Sequence, residues 1–187
     1  GRADEAADAL VQVARLLPSD GTLEQALALL DERGRHKEGI ALLEEVAAAV
    51  ADVGWNARAL VRAAEIARTR LGKRGKAREL LERALELVPR ERGALAAYAE
   101  LLVEIGDGDA ALSALERLVM LETEPKARAA QQLRIGRLLE EHLLRPDDAL
   151  KRYRACVEAD ATQLDAWEAM RSLARTRGDR ALLIEAL

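Results

Sequence analysis

The stretch Lys76-Ala77-Arg78-Glu79-Leu80-Leu81-Glu82-Arg83-Ala84-Leu85-Glu86-Leu87-Val88-Pro89 decides the fold. Ala77, Leu81 and Ala84 are four and three residues apart, so on a helix they share one face. The face is small, large, small. Pro89 ends the helix, because the residue before a proline is pushed out of the helical region. A helix with alanine at two of its three buried contacts needs a neighbour that comes very close.

The same face recurs along the chain. Ala6, Leu10 and Val13 match it and are followed by Pro18. Gly39, Leu43 and Val46 come next, then the opening stretch itself. Ala111, Leu115 and Leu118 follow, then Ala149, Tyr153 and Cys156, and finally Leu183 and Leu187. The leading residues 6, 39, 77, 111, 149 and 183 are separated by 33, 38, 34, 38 and 34 positions. Between these helices lie others with apolar stripes of their own. Residues 22–33 carry Leu23, Ala26, Leu27 and Leu30, and residues 56–71 carry Leu60, Ala63, Ala64 and Ala67. Residues 91–105 carry Leu95, Tyr98, Leu102 and Ile105, and residues 126–142 carry Leu133, Ile135, Leu138 and Leu139. Residues 162–176 carry Trp167, Met170, Leu173 and Ala174.

The punctuation agrees. Gly34, Gly72, Gly106 and Gly178 sit where the first helix of each pair should end. Asp109 and Asp179 are placed to cap the second helices, and Pro125 and Pro146 suit a first helical turn. Short connections make successive helices antiparallel neighbours.

Composition supports an all-α chain. Half of the 187 residues are hydrophobic and 33% are charged, which is globular rather than disordered. Ala and Leu, strong helix formers, dominate; Phe is absent and the aromatics are Trp55, Tyr98, Tyr153 and Trp167. No run alternates in the manner of a strand. The net charge of −4 argues against general nucleic-acid binding. One cysteine, Cys156, excludes an internal disulfide. No apolar run is long enough to span a bilayer, and the first residues have no signal-peptide pattern. The cytoplasm is the expected compartment, and the Ala, Arg and Leu content is of a bacterial kind.

A helix-turn-helix unit repeated at about 34 residues is the signature of the tetratricopeptide repeat, and the chain resembles that family from end to end. Residues 77–89 look like the second helix of such a repeat. Trp167 resembles the family's aromatic early in the first helix, and Gly106-Asp107 and Gly178-Asp179 resemble its inter-helix turn. Two departures stand out: Leu and Ala replace much of the family's aromatic content, and two spacings are four residues long. The resemblance implies a right-handed α-α superhelix. Its expected divisions are a lone second helix at 1–19, full pairs at 20–54, 55–90, 91–124 and 125–161, and an incomplete pair at 162–187. Both ends fall inside repeats, so a piece of a longer solenoid is expected.

No constellation for catalysis, cofactor or metal emerges. His36 and His142 read as surface residues of turns, with no further ligand at metal-site spacing. Cys156 reads as core filler in the slot Ala84 takes. Residues 72–77 lack the spacing of a phosphate loop. Asp147 and Asp148 read as acid favourable to a helix N-terminus. The three serines have no local base.

Charge is unevenly laid out. Residues 68–92 hold nine basic and four acidic side chains, whereas 20–52 hold eight acidic and three basic. Arg70, Lys73, Arg74 and Lys76, beside Arg68, form a candidate basic patch for an acidic partner; solvated helix faces are the other reading.

The family commonly binds segments in a groove lined by first helices. By that resemblance the groove here presents Glu24, Ala28, Asp31, Arg58, Glu65 and Arg68. It continues with Glu100, Val103, Arg137, Glu140, Glu168 and Arg175. The set suits a helix or extended segment with some basic character. The subgroup that clamps a chaperone's C-terminal carboxylate uses Asn and Lys on these faces. Asn56 is the only asparagine here and the groove set has no Lys, so that subgroup is not expected. The expected function is therefore a protein–protein interaction scaffold, not an enzyme, with a protein or peptide partner and no cofactor. A self-assembling spacer, a regulatory arm of a multidomain enzyme and a nucleic-acid-binding solenoid are the rivals.

Overall fold

The computed structural model describes residues 2–186. Among them helix follows helix and no strand occurs. The order is α1 (Arg2–Leu16), α2 (Asp20–Glu32), α3 (His36–Ala49), α4 (Val53–Thr69), α5 (Arg74–Leu87) and α6 (Arg92–Glu104). Then come α7 (Gly108–Leu121), α8 (Pro125–Arg137), a π-helical turn (Leu138–His142), α9 (Pro146–Ala159), α10 (Leu164–Arg177) and α11 (Arg180–Glu185). No described helix is long and apolar enough to cross a membrane.

The chain divides into two compact units, Gly1–Leu101 and Leu102–Leu187. In the first, α1 packs on α2 and α3, α3 on α4, and α4 on α5. In the second, α7 packs on α8, α8 on α9, α9 on α10, and α10 on α11. The small–large–small contacts lie where the spacing put them. Gly39, Leu43 and Val46, then Ala77, Leu81 and Ala84, are buried in the first unit. Ala111, Leu115 and Leu118, then Ala149, Tyr153 and Cys156, are buried in the second. Burial lifts the Cys156 thiol above its usual range, with the Asp160 carboxylate adding to the effect, so it stays a neutral, inert filler.

The expected register shifts by one at both ends. In α1 the buried residues are Ala7, Val11 and Ala14, while Ala6 and Val13 are exposed and Leu10 is half-buried. The reason is that the buried stripe of α1 is the one that meets α2 and α3. In α11 Leu182 and Ala186 are buried and Leu183 is only half so; Leu187 lies outside the described residues. Two further residues move. Asp107, not Asp109, caps α7 by accepting from the Ala110 N–H, because Asp109 is already inside the helix. Ile105 lies past the end of α6 and is exposed.

The long and short spacings have a structural cause. Gly34, Gly106 and Gly178 all take positive φ, and the N–H of the residue after each donates five positions back. These bonds run from Arg35 to Leu30 (2.8 Å), Asp107 to Leu102 (2.9 Å) and Asp179 to Ala174 (2.9 Å). Gly72 and Leu144 also have positive φ, but there the bond reaches six back, from Lys73 to Ala67 (2.8 Å) and Arg145 to Leu139 (2.7 Å). The first helices before these wider turns are longer: α4 has 17 residues against 13 in α2 and α6, and α8 is extended by the π turn. Extra residues are thus absorbed as helix and as a wider turn, which leaves the small–large–small face in place. The turns at 34, 106 and 178 repeat every 72 residues, as do those at 72 and 144. The sequence period is two repeats, not one.

One contact departs from the alanine pattern. Tyr153 stands where the other second helices have leucine, and its ring lies against Gly136 of α8. A Cβ at Gly136 would meet Tyr153 Cε1 at 2.3 Å and Cδ1 at 2.6 Å. The Tyr153 hydroxyl donates to Glu140 at 2.6 Å, so its polar tip is satisfied while its ring is buried. Gly136→Ala is expected to cost about 3 kcal/mol by overpacking. Adding Tyr153→Leu should recover most of the loss in urea denaturation, and no recovery would disprove the contact. Leu144, at φ 52, is strained and solvent-exposed. Leu144→Gly should raise stability by about 1 kcal/mol in the same assay.

Candidate functional site

In the first unit a cleft of about 560 Å³ opens between α2, α3 and α4. Its size is that of a pocket for a few side chains. Leu27 and Leu30 of α2 and Ile66 of α4 form the apolar floor, and Gly39 of α3 lies beneath them. A Cβ at position 39 would meet Leu27 Cδ2 at 3.2 Å and both Ile66 and Leu30 at 3.9 Å. Glycine in a slot that α5, α7 and α9 fill with alanine is therefore what lets Leu27 settle so low.

The rim is polar. Glu24, Asp31 and Glu65 stand beside Arg62, Arg70 and His36. Arg70 donates to Asp31 at 2.8 Å, and His36 Nδ1 is 3.3 Å from the same carboxylate. The sequence placed His36 at a surface turn; it begins α3 and lines the cleft. Of the expected groove residues, Glu24, Ala28, Asp31 and Glu65 come together here, joined by Arg70 from the basic patch. Leu27, Ile66, Arg62 and His36 were missed. The signal that could have found them is Gly39, the exception in its slot.

The remaining expected residues fall elsewhere. Arg58 is exposed near the start of α4. Arg68 lies 3.0 Å from Glu65 and 3.6 Å from Glu100, so these three form an ion-pair chain. In the second unit Arg137 pairs with Asp165 of α10 at 2.6 Å, and Glu140 is taken by Tyr153. Val103 lines a small recess with Leu138 and His142. Glu168 and Arg175 share an open groove on α10 with Arg171, Ser172 and Thr176. Among the described residues no group of three or more His, Cys, Asp and Glu side chains is arranged to hold a metal.

Two residues of the expected basic patch, Arg70 and Lys76, are held in ion pairs. Lys76 reaches Glu44 of α3 at 3.1 Å and Glu79 at 3.0 Å, and Arg83 reaches Glu44 at 2.5 Å. Lys73 and Arg74 are exposed at the start of α5. Burial pushes the Glu44 carboxyl up, but hydrogen bonds from Lys76 and Arg83 outweigh it and hold it below its ordinary value. The acidic stretch and the basic stretch thus serve each other.

Residues 69–133 match a family model described as tetratricopeptide repeat. Over that stretch the sequence matches the tetratricopeptide repeat. Solved structures agree on the fold. The repeat chain superposes on MamA with a TM-score of 0.66 at 18% identity, over 84% of this chain and 87% of that one. It superposes on YrrB, described as a repeat protein with an unusual peptide-binding site, at 0.63 and 18%, over 96% and 89%. A repeat protein from Parabacteroides merdae gives 0.69 and 19%, over 88% of this chain and 62% of that one. No curated protein sequence matches the chain. Tetratricopeptide repeats in general mediate contacts between proteins and act as non-catalytic scaffolds.

The Glu44 pairs give a pH dependence of known sign. A carboxyl lowered from 4.5 in the folded state stabilises fully above that value and loses the contribution as pH falls through its folded value. Glu44→Gln should cost about 1 kcal/mol at pH 7. The gap to the parent should close below pH 4.5 as pH falls through the folded value, measured by urea denaturation across pH. A gap that stays constant with pH would contradict it.

Proposed function

We propose that this chain is an interaction module that holds a segment of a partner protein against its first helices, with the α2–α4 cleft as the main subsite. The observation that carries the reading is that cleft: an apolar floor of Leu27, Leu30 and Ile66 opened by Gly39, ringed by charged side chains. An apolar side chain of the partner enters the floor, and a neighbouring lysine or arginine reaches Glu24. Arg62 faces the partner's acidic groups. The ion-paired Asp31 and Arg70 keep the rim in place. Similarity to a repeat protein described as peptide-binding is consistent with this use of the fold.

Arg58, Glu65, Arg68 and Glu100 lie on the same pair of first helices or the next one, and extend the surface beyond the cleft. In the second unit, Arg137, Glu140, Glu168 and Arg175 are the corresponding proposed contacts. Repeat boundaries at 20–54, 55–90, 91–124 and 125–161, with α1 as a lone second helix, complete the proposed organisation.

A phage-displayed peptide library selected on the wild-type chain tests the reading. Enriched peptides should pair an apolar residue with Lys or Arg. Ile66→Asp should weaken their binding about tenfold or more, since it puts a charge on the apolar floor. Charge reversal of Lys73 and Arg74, which do not line the cleft, separates the two surfaces: it should affect peptides with acidic residues alone. Peptides that bind Ile66→Asp as well as the parent would remove the cleft from the proposal. Tight RNA binding at low salt would replace it altogether.

A further inference from the structure

A second hollow lies in the first unit, toward the other end of α4 from the cleft. It is a recess of about 320 Å³ between the C-terminal ends of α3 and α5 and the first half of α4. Ala47 and Ala48 of α3, Leu60 of α4 and Leu87 of α5 make its aliphatic walls. Asn56 of α4 and Arg83 and Glu86 of α5 are its polar residues. Leu87 is 44% exposed and gives the recess an apolar lip. The three helices are consecutive and packed on one another, α3 on α4 and α4 on α5, so the recess does not arise from an end of the chain.

Its polar groups are unevenly satisfied. Asn56 is only 8% exposed, and its Nδ2 donates to the Val50 carbonyl at 2.8 Å, at the end of α3. Its Oδ1 is buried and has no hydrogen-bond partner. Buried acceptors are nearly always paired, and one left unpaired costs free energy. Holding Val50 uses only the donor half of the side chain, so the acceptor half needs another explanation. Arg83 is turned to Glu44 at 2.5 Å, a carboxylate that also takes Lys76. Glu86 is exposed and has no hydrogen-bond or ion-pair partner among the described residues. The donors of the recess are thus engaged, while its two open groups are both acceptors, one of them a full negative charge.

We propose that this recess receives the side chain of a lysine on a partner protein. The aliphatic stem lies on Ala47, Ala48, Leu60 and Leu87, and the ammonium donates to Asn56 Oδ1 and faces the Glu86 carboxylate. An apolar side chain alone would leave Asn56 Oδ1 unpaired, and an anion would meet Glu86. Arginine is a poorer occupant, because its planar guanidinium gains from stacking on an aromatic ring and none lines the recess. Arg83 has the same sign as the occupant, but Glu44 neutralises it at the wall. The recess shares no residue with the α2–α4 cleft, so neither surface depends on the other.

Asn56 is the only asparagine, so asparagine-selective isotope labelling gives a single side-chain amide pair to follow by NMR. The probe is a blocked peptide, acetyl-Ala-Ala-Lys-Ala-Ala-amide, titrated into the full chain. The Asn56 side-chain signals should move saturably, with half-saturation at millimolar peptide. The same peptide carrying acetyl-lysine keeps the stem and loses the charge, and should bind about tenfold more weakly or not at all. Glu86→Gln should weaken binding of the lysine peptide about fivefold. Ala48→Leu, which fills the recess from an exposed helix position, should abolish it. Both variants should keep the parent's melting temperature, because neither residue is buried. Asp109→Asn, which removes an exposed carboxylate from α7, should bind as the parent does. Four results would each overturn the proposal. The first is no saturable movement up to about 20 mM peptide, a strength too weak for a specific site. The others are equal binding of the acetyl-lysine peptide, undiminished binding by the Glu86→Gln or Ala48→Leu variant, and an equal loss in the Asp109→Asn variant.

Discussion

Helix pairs in this chain stand close because the second helix offers almost nothing at the point of contact. Ala77 and Ala84, Ala111, Ala149 and Cys156, and Gly39 are all small and buried. A large residue sits between them and interlocks with the facing helix. Interiors packed at crystal-like density leave no slack for a methylene more or less. The exceptions show how tight the constraint is. Where Tyr153 brings a ring in place of leucine, α8 answers with Gly136; where Gly39 replaces alanine, a cleft appears above it. Each change on one helix has its counterpart on the other.

Charge plays the complementary role on the outside. Lys76 and Arg83 on α5 converge on Glu44 of α3, and Arg15 of α1 pairs with Glu45 of α3. Arg152 of α9 pairs with Glu116 of α7, and Arg154 of α9 with Glu185 of α11. These bonds link successive second helices, whereas Arg70 to Asp31 and Arg137 to Asp165 link successive first helices. Exposed pairs of this kind add little stability one by one. Their placement, however, rewards the right neighbour and penalises a slipped one. A chain that is a third charged can thus keep its helices in order without many aromatic contacts.

The repeating face was readable because helical spacing exposes it directly. Leu43, Leu81 and Leu115 announce their slots, and the turn glycines mark where helices stop. The ends were harder, because α1 offers two apolar arcs and spacing cannot tell which is covered. Ala6, Leu10 and Val13 and the neighbouring set Ala7, Val11 and Ala14 share the same four-and-three spacing, and the second set is the buried one. The cleft was half legible. Glu24, Asp31 and Glu65 follow from the first-helix register, but the floor needs knowledge of how deep Leu27 sits, and that depends on a missing Cβ at position 39. Pairing around the basic patch was not legible for a related reason: linear charge counts do not show that Glu44, on a different helix, takes up Lys76.

The two turn classes carry one more consequence. Turns that reach five back alternate with turns that reach six back, so the chain has two kinds of junction, narrow followed by wide and wide followed by narrow. Copying one repeat would place like beside like, a junction the fold contains nowhere among the described residues. Copying two in register would reproduce the existing order. An ancestry of this array by duplication is therefore simplest in even steps, with a doublet as the heritable module. Leu144 occupies in its turn the place that Gly72 takes in the matching one, without a glycine's freedom.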